Sequence, residues 1–238
     1  MKPGKQGLYL PEFEHDACGA GFICSLQGKR SNDIIHKALE ILDKLEHRGA
    51  VSADGKTGDG AGILIDIPHD FFKTSCEFEL PEAGHYATGN VFLPQKENQR
   101  IFCQETLERN IKKQGLKLLG WRDVPINKSV PVRIATETEP FVKQLFIGKG
   151  DTEDKFQFDL KLFIARKVTE HEINASKLSE SHFFYVCSLS QKIIIFKGLL
   201  MPDDISRYYK DLLDPRVVTR LALVHQRFST NTFPTWDL

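Results

Sequence analysis

Short apolar segments separated by glycine, proline and polar turns dominate this chain of 238 residues. Such segments predict strands, and longer stretches with apolar residues at helical spacing predict helices. The predicted strands are residues 18–26, 63–67, 86–93, 116–124, 142–147, 160–166, 183–189, 192–197 and 221–229. The predicted helices are residues 32–47, 98–114 and 202–211. Strands that come in neighbouring pairs, with the helices segregated, favour an α+β fold of antiparallel sheets covered by helices.

The local pattern leaves the structure of one of these segments open and predicts that two others pair. Residues 160–166 are compatible with a strand and equally with a helix. Residues 183–189 and 192–197, joined at Ser190-Gln191, are predicted to form a hairpin.

Composition excludes several classes of function. Lysine plus arginine and aspartate plus glutamate both number 32, so no net field favours nucleic acid or an anionic membrane. The five cysteines are scattered and contain no Cys-x-x-Cys pair, so neither a metal site nor a disulfide framework is expected. The amino terminus lacks the apolar core of a secretory signal, and no apolar run is long enough for a membrane helix. We therefore expect a cytoplasmic protein.

Cys18 stands at the head of the first apolar segment. If the chain were cut before this residue, its sulfur and a free α-amine would share one residue, and the amine could act as base for the thiol. The alternative is that Cys18 is a small buried hydrophobic residue, as most intracellular cysteines are.

Three separated phrases resemble the signatures of the class II glutamine amidotransferases, which are N-terminal-nucleophile hydrolases. They are Cys18-Gly19-Ala20-Gly21-Phe22, Leu45-Glu46-His47-Arg48-Gly49-Ala50 and His225-Gln226-Arg227-Phe228-Ser229-Thr230-Asn231-Thr232. Within that class, residues 14–19, 57–62, 120–125 and 227–234 resemble the amidotransferase domain of glutamate synthase large subunits. The resemblance spans residues 14–237 and rests on five phrases in the right order.

The resemblance implies a four-layer α-β-β-α sandwich of two antiparallel sheets. It also implies that residues 1–17 are a propeptide and that residues 18–238 form a partial glutamine amidotransferase domain. Cys18 would attack the carboxamide of L-glutamine, with its own α-amine as base. Water would then hydrolyse the γ-glutamyl thioester, and the ammonia would be used for glutamate synthesis.

The resemblance also assigns roles to other residues. Arg227 would bind the α-carboxylate of glutamine, a task that suits a planar guanidinium; from the residues alone, it is equally compatible with a surface ion pair. Arg48 and Gly19 would support the surroundings of the nucleophile. The residues expected to line the same pocket are Phe228, Thr230 and Asn231.

The parent enzyme of such a domain would use FMN, an iron–sulfur cluster and NAD(P)H or ferredoxin, none of which this chain is expected to bind. Its partners would be the remaining synthase domains and a small reductase subunit. The family's oxyanion-hole stretch, His-Asn-Gly-Glu, and its substrate-binding aspartate would lie beyond Leu238. We therefore expect an incomplete domain, with strand 221–229 left at an unpaired edge.

Two other classes of function share some of these features. Another N-terminal-nucleophile amidohydrolase, such as a thiol peptidase, would have the cysteine but would not need the Arg227 phrase. A non-catalytic interaction module would not be cut before Cys18.

Overall fold

The computed structural model describes residues 19–49, 57–131, 134–150, 154–227 and 233–237. Its strands are β1 (Gly19–Cys24), β2 (Ala61–Asp66), β3 (Tyr86–Leu93), β4 (Lys117–Asp123), β5 (Phe141–Gly148), β6 (Tyr185–Val186), β7 (Ile193–Gly198) and β8 (Leu221–Gln226). Its helices are α1 (Asp33–Lys44), α2 (His69–Ser75), α3 (Glu97–Lys113), α4 (Ile134–Glu137), α5 (Lys155–Asn174) and α6 (Asp204–Tyr208). Short 3-10 segments follow α1 and α6.

The strands form two four-stranded sheets in which every pairing is antiparallel. Sheet 1 has the order β1-β8-β2-β7, and sheet 2 has the order β4-β5-β3-β6. Helices flank both sheets, an arrangement consistent with an α-β-β-α sandwich. The predicted fold class is therefore confirmed.

Two apolar cores hold these layers together. The larger core joins one face of sheet 1, with Ile63 and Phe196, to α1 and to the face of sheet 2 that carries Phe92 and Phe146. The smaller core joins the other face of sheet 2 to α3 and α5. Within the described residues, neither core covers the second face of sheet 1, where Phe22 is 73% exposed.

Helix α5 replaces the strand predicted at residues 160–166, so the helical alternative was the correct one. Its buried positions are Phe158, Leu162, Ala165, Thr169 and Ile173, which recur at helical spacing. Leu160 and Phe163 are exposed apolar residues on the same helix. They fill the gaps between the buried positions and make the segment resemble a continuous apolar strand.

The hairpin predicted across Ser190-Gln191 was wrong. Strand β6 pairs with β3 in sheet 2, whereas β7 pairs with β2 in sheet 1. The intervening residues cross from one sheet to the other, and the Asn90 side-chain amide donates to the Ile195 carbonyl (2.8 Å) across this junction. Two strands close in sequence thus belong to different layers.

The unpaired edge predicted for the last strand was also wrong. Strand β8 lies inside sheet 1, hydrogen-bonded to β1 on one side and to β2 on the other. Long-range pairing with the first strand of the chain, which local pattern does not reveal, covers this edge.

Candidate active site

One end of sheet 1 brings together the phrases that the sequence singled out. Gly19, the first residue of β1, pairs with Gln226, the last residue of β8. Gln226 also pairs with Ala61 of β2, which in turn pairs with Gly198 of β7. All four strands therefore reach the same end of sheet 1, at the level of Gly19 and Gln226, which we call the site edge. Cys18 precedes Gly19 in the chain and lies outside the described residues.

Glycines allow the 3-10 segment that follows α1 to pack closely behind the site edge. A Cβ atom on Gly19 would lie 2.9 Å from Cβ of Arg48, and one on Gly49 would lie 1.9 Å from the Gln226 side-chain amide nitrogen. Both distances are too short for a real Cβ, so both positions require glycine or a shift of their neighbours. The fold thus places Gly19 and residues 45–49 next to Gln226, and the supporting roles of Arg48 and Gly19 stay predictions.

Arg227 continues the ladder beyond β8. Its backbone N–H donates to the carbonyl of Gly60 (2.9 Å), a residue with a φ of 122°. A positive φ of this size suits glycine, and here it lets the β2 end approach β8. The other residues predicted to line the pocket lie outside the described ranges, namely Phe228, Thr230 and Asn231.

A cleft of about 410 Å³ opens on the uncovered face of sheet 1, next to Arg227. Its floor is apolar near the middle of the sheet, where Leu64, Ile195 and Leu223 lie. Three basic side chains line the end near the site edge, namely Lys197, His225 and Arg227. No acidic residue of the described chain lines it. The cleft is therefore suited to a ligand whose carboxylate faces the basic end.

Lys197 and His225 are cleft residues to which the sequence gave no role. Both pair with Gly62 on neighbouring strands, so they flank a position without a side chain. The Lys197 ammonium donates to the carbonyl of Asp237 (2.8 Å) and lies over the ring of Tyr185. In the sequence, the one sign of a role for Lys197 was its position within the apolar run of β7.

The environment disfavours the charged forms of both side chains. Burial lowers the pKa of Lys197, and the charge of Arg227 acts in the same direction. Desolvation and Arg227 likewise lower the pKa of His225. His225 therefore favours the neutral imidazole, which can donate one hydrogen bond and accept another.

The phrase Gly120-Trp121-Arg122-Asp123 lies in sheet 2, away from the site edge, and has a structural role there. Arg122 on β4 makes a bidentate pair with Asp211 (2.7 and 2.9 Å) and also donates to Gln144. The side chains of the pair are 11% and 4% exposed. This phrase joins sheet 2 to the segment after α6.

The described residues contain no group of three or more His, Cys, Asp and Glu side chains placed to hold a metal ion. Cys24, Cys76, Cys103 and Cys187 are free thiols. None of the helices in the described ranges is long and apolar enough to span a membrane.

A comparison with protein families decides the class of this chain. The model of the class II glutamine amidotransferases matches residues 18–238. The chain belongs to this family. The match begins at Cys18 and includes every residue of the site edge.

Its relatives are large enzymes. The chain is 45% identical over 237 residues to the glutamate synthase [NADPH] large chain of Bacillus subtilis, which covers 99% of this chain and 15% of the relative. It is 41% identical to the glutamate synthase [NADH] of Saccharomyces cerevisiae, covering 99% of this chain and 11% of the relative. It is 36% identical to ferredoxin-dependent glutamate synthase 2 of Synechocystis, and the match covers 94% of this chain and 14% of the relative. The chain thus spans less than one sixth of the length of these relatives.

Proposed function

We propose that this chain carries the glutaminase activity of a glutamate synthase and releases ammonia from L-glutamine. The observation that carries the proposal is the pairing of Gly19 with Gln226. Cys18 is bonded to Gly19, and Arg227 is bonded to Gln226. The sequence neighbours of Cys18 and Arg227 are thus hydrogen-bonded to each other, and Arg227 itself lines a cleft with a basic end.

In the proposed reaction, residues 1–17 are removed and Cys18 becomes the N-terminal residue. Its α-amine takes the thiol proton, and the sulfur attacks the carbon of the glutamine carboxamide. The C–N bond breaks, the nitrogen leaves as ammonia after protonation, and a γ-glutamyl thioester remains. Water then cleaves the C–S bond to give glutamate and restores the thiol.

Arg227 is proposed to bind the substrate α-carboxylate through two parallel N–H bonds. Lys197 and His225 support this role because they add donors to the same end of the cleft. Arg48 and Gly19 are proposed to shape the surroundings of the nucleophile, and Phe228, Thr230 and Asn231 to line the pocket.

The released ammonia is proposed to pass to synthase domains that use FMN, an iron–sulfur cluster and NAD(P)H or ferredoxin. The names of the relatives specify NADPH, NADH or ferredoxin. The remaining synthase domains and a small reductase subunit are the proposed partners, and the cytoplasm is the proposed location.

Ammonia release tests this function. Cys18→Ala is expected to abolish release from glutamine, whereas Cys24→Ala, which removes an exposed free thiol at the end of β1, is expected to leave it unchanged. Peptides containing internal glutamine are expected to be inert. Full activity of Cys18→Ala, or preferential cleavage of peptides, would contradict the proposal.

A further inference from the structure

A second pocket lies at the end of sheet 1 opposite the site edge. It has a volume of about 220 Å³ and three basic lining side chains, Arg30, Lys192 and Arg220. Arg30 lies between β1 and α1, Lys192 immediately precedes β7, and Arg220 immediately precedes β8. Segments distant in sequence thus converge on one small concavity, with no acidic residue of the described chain in its lining.

Both guanidiniums are held in place by the fold. Arg30 donates through Nη1 to the carbonyl of Ile67 (3.1 Å). Arg220 pairs through Nε with Asp66 (3.2 Å), whose side chain is almost completely buried. Each guanidinium has five N–H donors, so most of its donors are not used by these contacts.

Two further polar side chains complete the wall. The Tyr86 hydroxyl and Nδ1 of His69 are hydrogen-bonded (3.2 Å), and both residues line the pocket. Asp66 offsets one of the three positive charges. Burial raises the pKa of Tyr86, and the charge of Asp70 acts in the same direction. Asp70 does not line the pocket.

We propose that this pocket binds an oxyanion, the phosphate or carboxylate group of a small molecule. Two guanidiniums with free edges and one ammonium provide the bidentate and point-charge donors that such groups bind. The pocket is one strand length, about 20 Å, from the site edge. Binding here therefore uses none of the residues that line the cleft proposed for glutamine.

Titration calorimetry of the 238-residue chain at low ionic strength tests the proposal, with inorganic phosphate and succinate as separate probes. Arg30→Gln is expected to weaken binding about tenfold or more, the loss typical of a hydrogen bond to a charged group. Lys29→Gln is the matched control, because it removes the same charge from the neighbouring residue, which does not line this pocket. Its affinity is expected to stay within about twofold of the unmodified chain, as for an exposed charge.

Lys192→Gln provides a second variant in case Arg30→Gln disturbs the fold. None of the hydrogen bonds and ion pairs within the described ranges involves the Lys192 ammonium, so Lys192→Gln is not expected to disturb the fold. Binding of phosphate alone, succinate alone or both would support an oxyanion site and define its class. Equal losses in Arg30→Gln and Lys29→Gln, unchanged affinity in both pocket variants, or no binding of either anion at about 10 mM would overturn the proposal.

Discussion

The inner strands of the two sheets differ in what their side chains do. Strand β3 of sheet 2 is buried along all eight residues, whereas β8 of sheet 1 alternates between covered and exposed positions. The side-chain amide of Asn90 on β3 donates within the fold, to the carbonyl of Ile195. The exposed positions of β8, Leu223 and His225, face the cleft together with Arg227. Sheet 2 therefore provides stability, and the open face of sheet 1 is available for ligands.

The largest expected effect lies in sheet 2, at its buried ion pair. Arg122→Ala leaves the carboxylate of Asp211 buried without its partner, which typically costs about 3–5 kcal/mol. Urea unfolding should show this loss. Arg109→Ala breaks an exposed pair with Glu172 on the helices and should cost about 0–1 kcal/mol. Similar losses for the two variants would mean that the β4 pair is not a specific support of sheet 2.

A matched pair of leucine substitutions compares the two sheets directly. Leu145 on β5 is completely buried, whereas Leu223 on β8 is 45% exposed. Leu145→Ala should lower the free energy of unfolding by about 2–5 kcal/mol, since it leaves a cavity between sheet 2 and its helices. Leu223→Ala should cost less than about 1 kcal/mol. A large cost at Leu223 would show that this face is covered in solution.

At the cleft, Arg227→Lys keeps the positive charge but loses the planar fork. We expect the KM for glutamine to rise by a factor that corresponds to about 1.5–3 kcal/mol, with a smaller change in kcat. Arg220→Lys, at the other end of β8, is the control and should leave KM unchanged. If Arg227→Lys also leaves KM unchanged, Arg227 has a structural role only.

The smallest effect is a pH dependence at His225. Its pKa in the folded state is lowered, so below the ordinary pKa of about 6.5 the unfolded chain takes up a proton more readily. The stability contributed by neutral His225 is therefore present above that value and declines as the pH falls through it. His225→Asn should flatten the unfolding free energy between about pH 7 and 5. An unchanged pH profile in that variant would assign the dependence to other groups.

Local pattern was sufficient for much of the fold. The predicted strand at 86–93 coincides with β3, and the predicted helix at 98–114 with α3 to within one residue at each end. Pattern failed at α5, where exposed Phe163 obscured the amphipathic period, and at β6 and β7, which are neighbours in sequence but belong to different sheets.

The site was predictable only where it forms a recognisable phrase. Cys18 and Arg227 were singled out through their neighbours in sequence, and their roles stay predictions. Lys197 was not, because its proximity to His225 depends on both strands pairing with Gly62, a register set by the whole of sheet 1. The basic pocket at the other end of that sheet depends on the same long-range register.

Trapping of the covalent intermediate tests the central claim most directly. The protein is mixed with glutamine, quenched in acid and digested, and the peptides are examined by mass spectrometry. We predict a γ-glutamyl thioester on Cys18, with that residue as the N-terminus and with no adduct on Cys24. Ammonia release without an adduct on Cys18, or with residues 1–17 still attached, would contradict the proposed mechanism.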